Sequence, residues 1–169
     1  MRRFDSCVTH MLSQTIEYAL RAMTYLSNLE PNASANSETI ATRTQVPQGY
    51  LSKILRDMVV ADLIRSQRGP NGGFALARGP SQITILDVVN AVDPIDRIRK
   101  CPLGNPAHID LCPLHRRLDD ALAMIEREFK RTTLAEVLET NTKSAGQCRS
   151  LVAPAVRRTR DDARRGGSS

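Results

Sequence analysis

The stretch of residues 37–77 constrains the fold of this chain more than any other part of it. Ser37 is a residue type that caps helices, and residues 40 and 41 are apolar, so a short helix is expected here. A turn is expected at Gln45 and Val46, because Pro47 has the fixed φ that suits the first position of a following helix. The sequence therefore predicts two helices joined by a tight turn.

The second of these helices is predicted to have one buried and one polar face. Its buried stripe follows the i, i+3, i+4, i+7 spacing and consists of Leu51, Ile54, Leu55 and Met58. At 100° per residue, the opposite face carries Gly49, Lys53 and Arg56, with Gln48 and Ser52 beside it near the N-terminal end. A helix with such a polar, basic face can enter the major groove of DNA, where its first turns reach the base edges.

A hairpin is predicted directly behind this helix. Two short runs, at residues 64–68 and 74–77, flank a tip that contains Asn71, a proline and three glycines. Arg65 and Arg68 lie close to this tip, so the hairpin resembles a wing that touches the neighbouring groove or the DNA backbone. Residues 43–78 hold six basic residues against two acids, a local charge of +4. Charged helix pairs also occur as plain packing units with solvated faces. The order of the parts, with a basic wing behind the helix, favours DNA binding.

The net charge of the whole chain is a weaker argument for nucleic-acid binding. The formal charge is +6, but residues 141–169 hold seven Lys or Arg and two acids, and residues 1–10 contribute +1. The segment between them is neutral, so the DNA-binding hypothesis rests on the local basic patch. No apolar run reaches the roughly 18 residues of a membrane span, and the N-terminus lacks the apolar core of a signal peptide. We therefore expect a soluble, cytoplasmic protein.

The remaining helices are predicted from apolar spacing and from capping residues. Residues 13–29 should form a first helix that braces the helix pair, and Thr84 with Asp87 should begin a short helix that Asp93 and Pro94 stop. Pro113 should begin a long helix that ends at about Arg131. The apolar side of this helix consists of Leu114, Leu118, Ala121, Leu122, Ile125 and Phe129. It suits a dimer interface or, alternatively, packing on the protein's own core. Thr133 is expected to cap a last helix over residues 134–138.

The predicted fold class is mainly α with a small β-hairpin wing, a winged helix-turn-helix unit followed by a long dimerisation helix. We expect an N-terminal extension without regular structure at residues 1–10 and the winged helix-turn-helix region at residues 11–94. A cysteine-containing sensor loop is expected at residues 95–112, and the dimerisation helix and C-terminal helix at residues 113–140. A disordered basic tail is expected at residues 141–169.

The loop before the long helix brings together residue types that bind metals. Cys101, His108, Cys112 and His115 lie within fifteen residues. Thiolates and imidazoles are ligands for iron–sulfur clusters, zinc and copper, and clustered cysteines inside cells point to metal or redox chemistry. The spacing lacks the close pairs that are typical of zinc sites, so a metal site and two cysteines without a special role both remain open. The sequence contains no Ser-His-Asp set, no paired carboxylates and no phosphate-binding glycine loop, so we do not expect an enzyme.

Four parts of the sequence carry a family resemblance. They are residues 16–21 (IEYALR), 50–55 (YLSKIL) and 68–77 (RGPNGGFALA) and the cysteine loop. Together they resemble the Rrf2 family of bacterial transcription regulators. The resemblance covers roughly residues 11–139, and the wing is its most specific part. The family includes regulators of iron–sulfur clusters, nitric oxide and cysteine metabolism. The resemblance implies a winged-helix homodimer that is crossed through the long helix and binds a palindromic operator, and we expect a repressor. The predicted DNA-contacting residues are Gln48, Tyr50, Ser52, Lys53, Arg56, Arg65, Arg68, Asn71 and Gly72.

The resemblance also implies a cluster with a particular ligand set. Members with a cluster hold it with three cysteines of this loop and one residue of another kind. Cys101 and Cys112 match the outer two cysteines, His115 is placed like a histidine ligand, and Glu17 falls where some members use an acid of the partner's first helix. The middle cysteine is missing. The implied group is therefore a [2Fe-2S] cluster held by Cys101, Cys112 and His115, with His108 or Glu17 of the partner subunit as the fourth ligand.

Two alternatives to the cluster stay open, zinc in the same loop or no metal at all. The metal-free case is a cluster-free regulator that a protein partner or small molecule controls. With a cluster, its oxidation, nitrosylation or loss would move the loop and the start of the long helix. The spacing of the two recognition helices on half-sites about one DNA turn apart would then change.

Overall fold

The computed structural model describes residues 12–30, 33–69, 72–100 and 111–143, and in the last range the side chains up to residue 139. The elements follow the predicted order and are α1 (Gln14–Ser27), α2 (Ser37–Thr44), α3 (Gln48–Val60), β1 (Ile64–Gln67), β2 (Gly73–Leu76), α4 (Ile85–Val92), α5 (Pro113–Arg131) and α6 (Leu134–Lys143). The predicted fold class, mainly α with a two-stranded hairpin, is confirmed. The predicted extension at residues 1–10 and nearly all of the predicted tail lie outside the described residues.

The hydrophobic core lies where α1 packs against α2, α3 and α4. The predicted stripe of α3 is buried in it, since Leu51, Ile54, Leu55 and Met58 are each at most 1% exposed. Helix α1 contributes five buried residues to the core, namely Ile16, Ala19, Ala22, Met23 and Leu26. Burial of a large apolar side chain contributes about 1.5–3 kcal/mol, so this contact surface is what fixes α1 as the brace of the helix pair.

The starts of α2 and α3 differ by one residue from the prediction. Asn36, rather than Ser37, is the N-cap of α2, and its Oδ1 accepts a hydrogen bond of 2.7 Å from the backbone N–H of Thr39. Asn and Ser are both strong N-caps, so their adjacency left the sequence ambiguous. Pro47 precedes the first residue of α3 and has an extended conformation with ψ 132°. The predicted turn is present, with Gln45 in the left-handed region at φ 57° and Val46 buried.

Two capping boxes begin α4 and α6 side by side. Thr84 and Asp87 form the predicted box of α4, and Thr133 forms an equivalent one with Glu136. An isolated antiparallel bridge joins the two threonines, so the backbones of both helix starts are tied together. The predicted end of the last helix at Leu138 was wrong. The helix continues to Lys143, because the change of composition after Glu139 introduces no glycine or proline before that point.

The wing is an antiparallel hairpin in which Ile64 pairs with Leu76 and Gln67 with Gly73. Its strands begin and end within a residue of the predicted runs. A third backbone segment adds to its edge, since Ala35 and Phe74 exchange backbone hydrogen bonds of 2.8 and 3.0 Å. This bridge connects the wing to the start of α2.

Helix α5 begins at Pro113 and ends at Arg131, as predicted. Its apolar side is divided between two environments. Phe129, near the C-terminal end, packs against the core, whereas Leu114 and Leu118 are 65% and 47% exposed. One end of this side therefore packs on the core, as one of the two alternatives predicted, and the other end is an open apolar surface. The dimer interface stays a prediction. No helix in the described part of the chain is long and apolar enough to cross a membrane.

Candidate nucleic-acid interface and sensor region

The exposed face of α3 carries the predicted major-groove residues. Gln48, Ser52, Lys53 and Arg56 are all exposed, and Tyr50 is 58% exposed. Asp57, the acid of this helix, is half-buried and lies 3.8 Å from the guanidinium of Arg56. From Gln48 to Arg56 the accessible surface of the helix is therefore mainly polar and basic, as a surface that faces DNA phosphates and base edges requires. Val59 and Val60, at the C-terminal end of the helix, are exposed apolar residues.

The N-terminal end of α3 is held by aromatic contact with α1. The rings of Tyr18 and Tyr50 meet edge to face, with centroids 6.0 Å apart and planes at 67°. The guanidinium of Arg21 lies 6.0 Å from the Tyr18 ring. Aromatic pairs such as Tyr18 and Tyr50 prefer the edge-to-face geometry because the positive edge of one ring meets the negative face of the other. Tyr50 therefore has a structural contact beside its predicted contact with DNA.

Arg21 also connects this aromatic pair to the C-terminal end of α2, where the turn to α3 begins. It forms an ion pair with Glu17 on the same helix face, and it donates a 3.5 Å hydrogen bond to the backbone carbonyl of Thr44, the last residue of α2. A cation is favoured at a helix C-terminus, where carbonyl groups lack helical partners. Sequence reasoning missed this arrangement, although Glu17, Tyr18 and Arg21 all stand in the motif that carries the family resemblance.

The wing places Arg65 and Arg68 at the surface beyond α3, and both side chains are exposed. Gly69 has φ 115°, which favours glycine, and its carbonyl accepts a 2.8 Å hydrogen bond from the N–H of Gly72. A Cβ on Gly72 would lie 2.5 Å from the carbonyl oxygen of Gln67. Gly72 is thus needed for the shape of the tip. Asn71, the other residue predicted there, lies outside the described residues.

The sensor region brings two of the predicted ligand residues together. Cys112 is the N-cap of α5, and its Sγ lies 3.2 Å from Nδ1 of His115, one turn into the helix. Both side chains are half-buried, and a thiolate and an imidazole at this distance are a donor set that suits iron–sulfur clusters or zinc. Cys101 and His108 lie outside the described residues, and within the described ranges no three His, Cys, Asp or Glu side chains converge on a metal position. Glu17 is engaged by Arg21 of its own chain.

A helix, a turn, a second helix with an open basic face and a hairpin wing, in this order, define a winged helix-turn-helix DNA-binding protein. The chain belongs to the Rrf2 family, whose description is "Iron-dependent Transcriptional regulator" and whose profile matches residues 12–140. The protein is therefore a transcriptional regulator of this family, which binds DNA and is not enzymatic.

A relative agrees with this assignment, and solved structures share the fold. The chain is 32% identical over 131 residues to the HTH-type transcriptional regulator NsrR of Geobacillus kaustophilus, a match that covers 76% of this chain and 89% of the relative. The fold is similar to that of CymR, the global cysteine regulator of B. subtilis, with a TM-score of 0.65, 22% identity and coverage of 78% of this chain and 98% of the other. The structure of T. potens IscR is similar at a TM-score of 0.65, with 23% identity and coverage of 81% and 90%.

Proposed function

We propose that this regulator is a homodimeric, cytoplasmic repressor that binds a palindromic operator through α3 and the wing. The observation that carries the proposal is the open polar and basic face of α3, next to a wing that presents Arg65 and Arg68. In this proposal Gln48, Ser52, Lys53 and Arg56 meet the major groove, and the wing arginines meet phosphates or the neighbouring groove. Tyr50, Asn71 and Gly72 complete the proposed contact set.

Selection from a library of random duplexes tests this proposal. We expect wild-type protein to enrich an inverted repeat whose half-sites lie about one DNA turn apart, with affinity that falls steeply as salt rises. Enrichment of no sequence, with binding that depends on salt alone, would contradict a sequence-specific regulator. Placement of the enriched site upstream of a reporter gene then distinguishes repression from activation.

The second copy of the chain is proposed to cover the open apolar side of α5. Leu114, Leu118 and Met124 are 65%, 47% and 59% exposed, and no residue of this 19-residue helix is fully buried in the single chain. A long helix that leaves its apolar side open is suited to isologous pairing with the same helix of a second copy.

The dimer proposal is tested by Leu118→Glu, which should shift the sedimentation profile from dimer to monomer because a charge would be buried in the contact. Arg116→Glu, on the exposed polar side of the same helix, is the matched control and should remain dimeric. A monomeric wild type would contradict the proposal.

For the sensor, we propose that Cys112 and His115, with Cys101, hold a [2Fe-2S] cluster, and that His108 or Glu17 of the partner subunit supplies the fourth ligand. The 3.2 Å separation of the Cys112 and His115 donors supports this choice. Such a group would supply sensitivity to oxidation and to nitric oxide. Cys112 is also the N-cap of α5, so its ligation state bears directly on the first turn of the proposed dimerisation helix.

Anaerobic purification, a visible spectrum and iron and sulfide analysis test the sensor proposal. We expect about two irons per monomer with equal sulfide, and loss of both in Cys112→Ser and His115→Ala but not in Cys148→Ser. Zinc at one equivalent would make the loop a structural site instead. A metal-free protein that still binds its operator would select the second candidate, a cluster-free regulator controlled by a partner or small molecule, which the absence of a middle cysteine between residues 101 and 112 favours.

A further inference from the structure

An arginine in the segment after α4 is held by two carboxylates of α5. Arg97 donates from Nε and Nη2 to the two oxygens of Asp119, at 2.7 and 2.6 Å, and from Nη1 to Glu126 at 2.9 Å. The backbone N–H of Ile98 adds a 3.0 Å hydrogen bond to Asp119. We call Arg97, Asp119 and Glu126 the Arg97 clasp.

The clasp differs from the surface ion pairs of the described chain. The pairs Arg56–Asp57 and Arg131–Glu128 are 3.8 and 3.9 Å long, with arginines that are more than 75% exposed. In the clasp the Arg97 side chain is 30% exposed and Asp119 is 19% exposed. A two-pronged arginine–carboxylate pair fixes geometry as well as charge, because the planar fork matches both oxygens. Hydrogen bonding from Arg97 holds the pKa of Asp119 below its usual range.

The clasp joins two parts of the protein that the proposed function assigns to different tasks. Arg97 follows α4, which packs on α1 and α3 within the DNA-binding unit, whereas Asp119 and Glu126 belong to the proposed dimerisation helix. They are seven residues apart on one face of α5, a distance of about 10 Å along the helix. Phe129 provides a separate, apolar attachment of α5 to the core.

Helix α5 also packs on α4, and at its C-cap the backbone N–H of Ile85 donates a 2.9 Å hydrogen bond to the carbonyl group of Thr132. This bond and Phe129 hold the C-terminal end of α5, so the clasp, which begins ten residues before Phe129, adds resistance to a swing of the N-terminal half. Helix α5 has 19 residues and is about 28 Å long. A swing of about 7° about one end therefore displaces the other end by about 3.4 Å, the rise of one base-pair step. In the proposed dimer, a swing of this size would change the half-site separation that the two recognition helices fit.

We propose that Arg97 is a positioning residue that fixes the direction of α5 relative to the recognition helix and thereby sets the half-site spacing that the dimer accepts. This inference rests on the proposed dimer and its palindromic operator. Its first part, the fixed direction of α5, concerns the single chain and is measured without DNA.

The DNA-free measurement is the distance distribution between spin labels on Lys53 in α3 and Arg127 in α5. Labels attached through unnatural amino acids leave the native cysteines intact, and an excess of unlabelled chain removes distances between copies. We expect a narrow distribution in the wild-type background and a clearly broader one with Arg97→Gln. An equally narrow distribution with Arg97→Gln would overturn the inference, whatever the protein does with DNA.

The DNA measurement uses the duplex selected by wild-type protein, with one or two base pairs added or removed between the half-sites. We expect wild type to prefer its own spacing by at least about tenfold and Arg97→Gln to lose most of this preference, while the affinity for a single half-site changes less than about twofold. Arg131→Gln removes the same charge from an exposed position of α5 and should behave as wild type.

Two further variants separate positioning from a general loss of stability. Arg97→Lys keeps the charge but not the fork, so it should give an intermediate spacing preference. Asp119→Asn weakens the clasp from the α5 side and replaces Arg97→Gln if that variant does not fold at the assay temperature. An undiminished spacing preference in folded Arg97→Gln or Asp119→Asn would overturn the inference. A wild type that selects no operator would instead contradict the proposed function, and the label distances would still decide the clasp.

Discussion

The ring of Tyr18 on α1 packs edge to face against the ring of Tyr50 on α3, with centroids 6.0 Å apart. Tyr50 is the third residue of the proposed recognition helix, so α1 positions that helix at the end that is expected to reach the base edges. The contact makes Tyr50 a residue with two tasks, and its substitution must be interpreted together with that of Tyr18.

A double-mutant cycle with Tyr18→Ala and Tyr50→Ala measures this contact. We expect a coupling energy of about 1 kcal/mol in the free energy of unfolding, since an aromatic pair contributes that amount beyond its buried area. Urea unfolding of the wild type, the two single variants and the double variant gives the value. Tyr25, a half-buried tyrosine of the same helix, is the control, and Tyr25→Ala should show no coupling with Tyr50→Ala. Additive effects of Tyr18→Ala and Tyr50→Ala would contradict the prediction.

The attachment of the wing to the start of α2 gives a second prediction. A Cβ on Gly73 would overlap the Ala35 carbonyl group and approach the backbone nitrogen of Asn36 at 2.8 Å. Gly73→Ala should therefore lower the free energy of unfolding by about 1–3 kcal/mol, because backbone atoms have to move to admit the methyl group. It should also weaken DNA binding, since the wing is displaced from α2.

Gly79→Ala is the matched control for Gly73→Ala. The side-chain atoms nearest to a Cβ at Gly79 lie 3.9 and 4.0 Å away, so the methyl group has room. We expect a change within about 0.5 kcal/mol by thermal or urea unfolding. Equal effects of the two alanine substitutions would show that the close approach of Gly73 to Ala35 does not limit the wing.

Local patterns predicted the elements of this fold well. The buried stripe of α3, the capping box at Thr84 and the start of α5 at Pro113 each depend on residues within one or two helical turns of each other. Periodicity and capping chemistry report such short-range relationships directly. The one-residue error at the start of α2 arose because Asn36 and Ser37 are both good caps, and only the structure decides between them.

Contacts between residues that are distant in sequence were not predictable in the same way. Arg97 and Asp119 are 22 residues apart, and Arg21 and Thr44 are 23 residues apart. A single sequence shows that Arg97, Asp119 and Arg21 are charged but contains no signal for the partner of each, which for Arg21 is the backbone carbonyl group of Thr44. The same holds for the Ala35–Phe74 bridge and for the Tyr18–Tyr50 pair. Their partners follow from how the helices pack, and the packing angle depends on the whole core.

The wing arginine Arg68 gives a prediction about DNA affinity. If Arg68 neutralises one phosphate, its contact contributes about fivefold to the affinity at about 0.15 M salt, because the binding constant scales with salt to the power of about 0.9 per phosphate. Arg68→Ala should therefore weaken binding about fivefold on the selected operator and on unrelated DNA alike. The slope of log affinity against log salt should fall by about 1.

Arg116, on the exposed polar side of α5, is the control for Arg68. Arg116→Ala removes the same charge but should leave the salt slope unchanged, as measured by fluorescence anisotropy over a series of salt concentrations. Unchanged affinity of Arg68→Ala at physiological salt would remove Arg68 from the interface. A loss confined to the selected operator would instead assign Arg68 to a base contact.

The Arg97 clasp predicts how stability depends on acidity. The pKa of Asp119 is lowered from its ordinary value of 3.8, first by the hydrogen bond from Arg97 and further by the backbone N–H of Ile98. A carboxyl group with a lowered pKa in the folded state stabilises the fold at every pH above its unfolded value. That stabilisation is lost as the pH falls through the folded pKa, because the unfolded chain then binds a proton more readily than the folded one. The pKa of Arg97 is raised by its hydrogen bonds to Asp119 and Glu126, so the arginine stays charged throughout this range.

The difference in unfolding free energy between wild type and Asp119→Asn should therefore be constant from about pH 7 to pH 5 and shrink below about pH 4. Urea unfolding at each pH measures it, and other carboxyl groups cancel because both proteins contain them. Asp120→Asn removes an exposed carboxylate from the next position of the helix and controls for the loss of a charge. A difference that grows as the pH falls would mean that Asp119 is stabilised in its neutral form, which is incompatible with a guanidinium on both of its oxygens. A difference near zero at pH 7 would mean that the clasp fixes the direction of α5 without contributing to stability, because ordering of the segment after α4 offsets the ion pair.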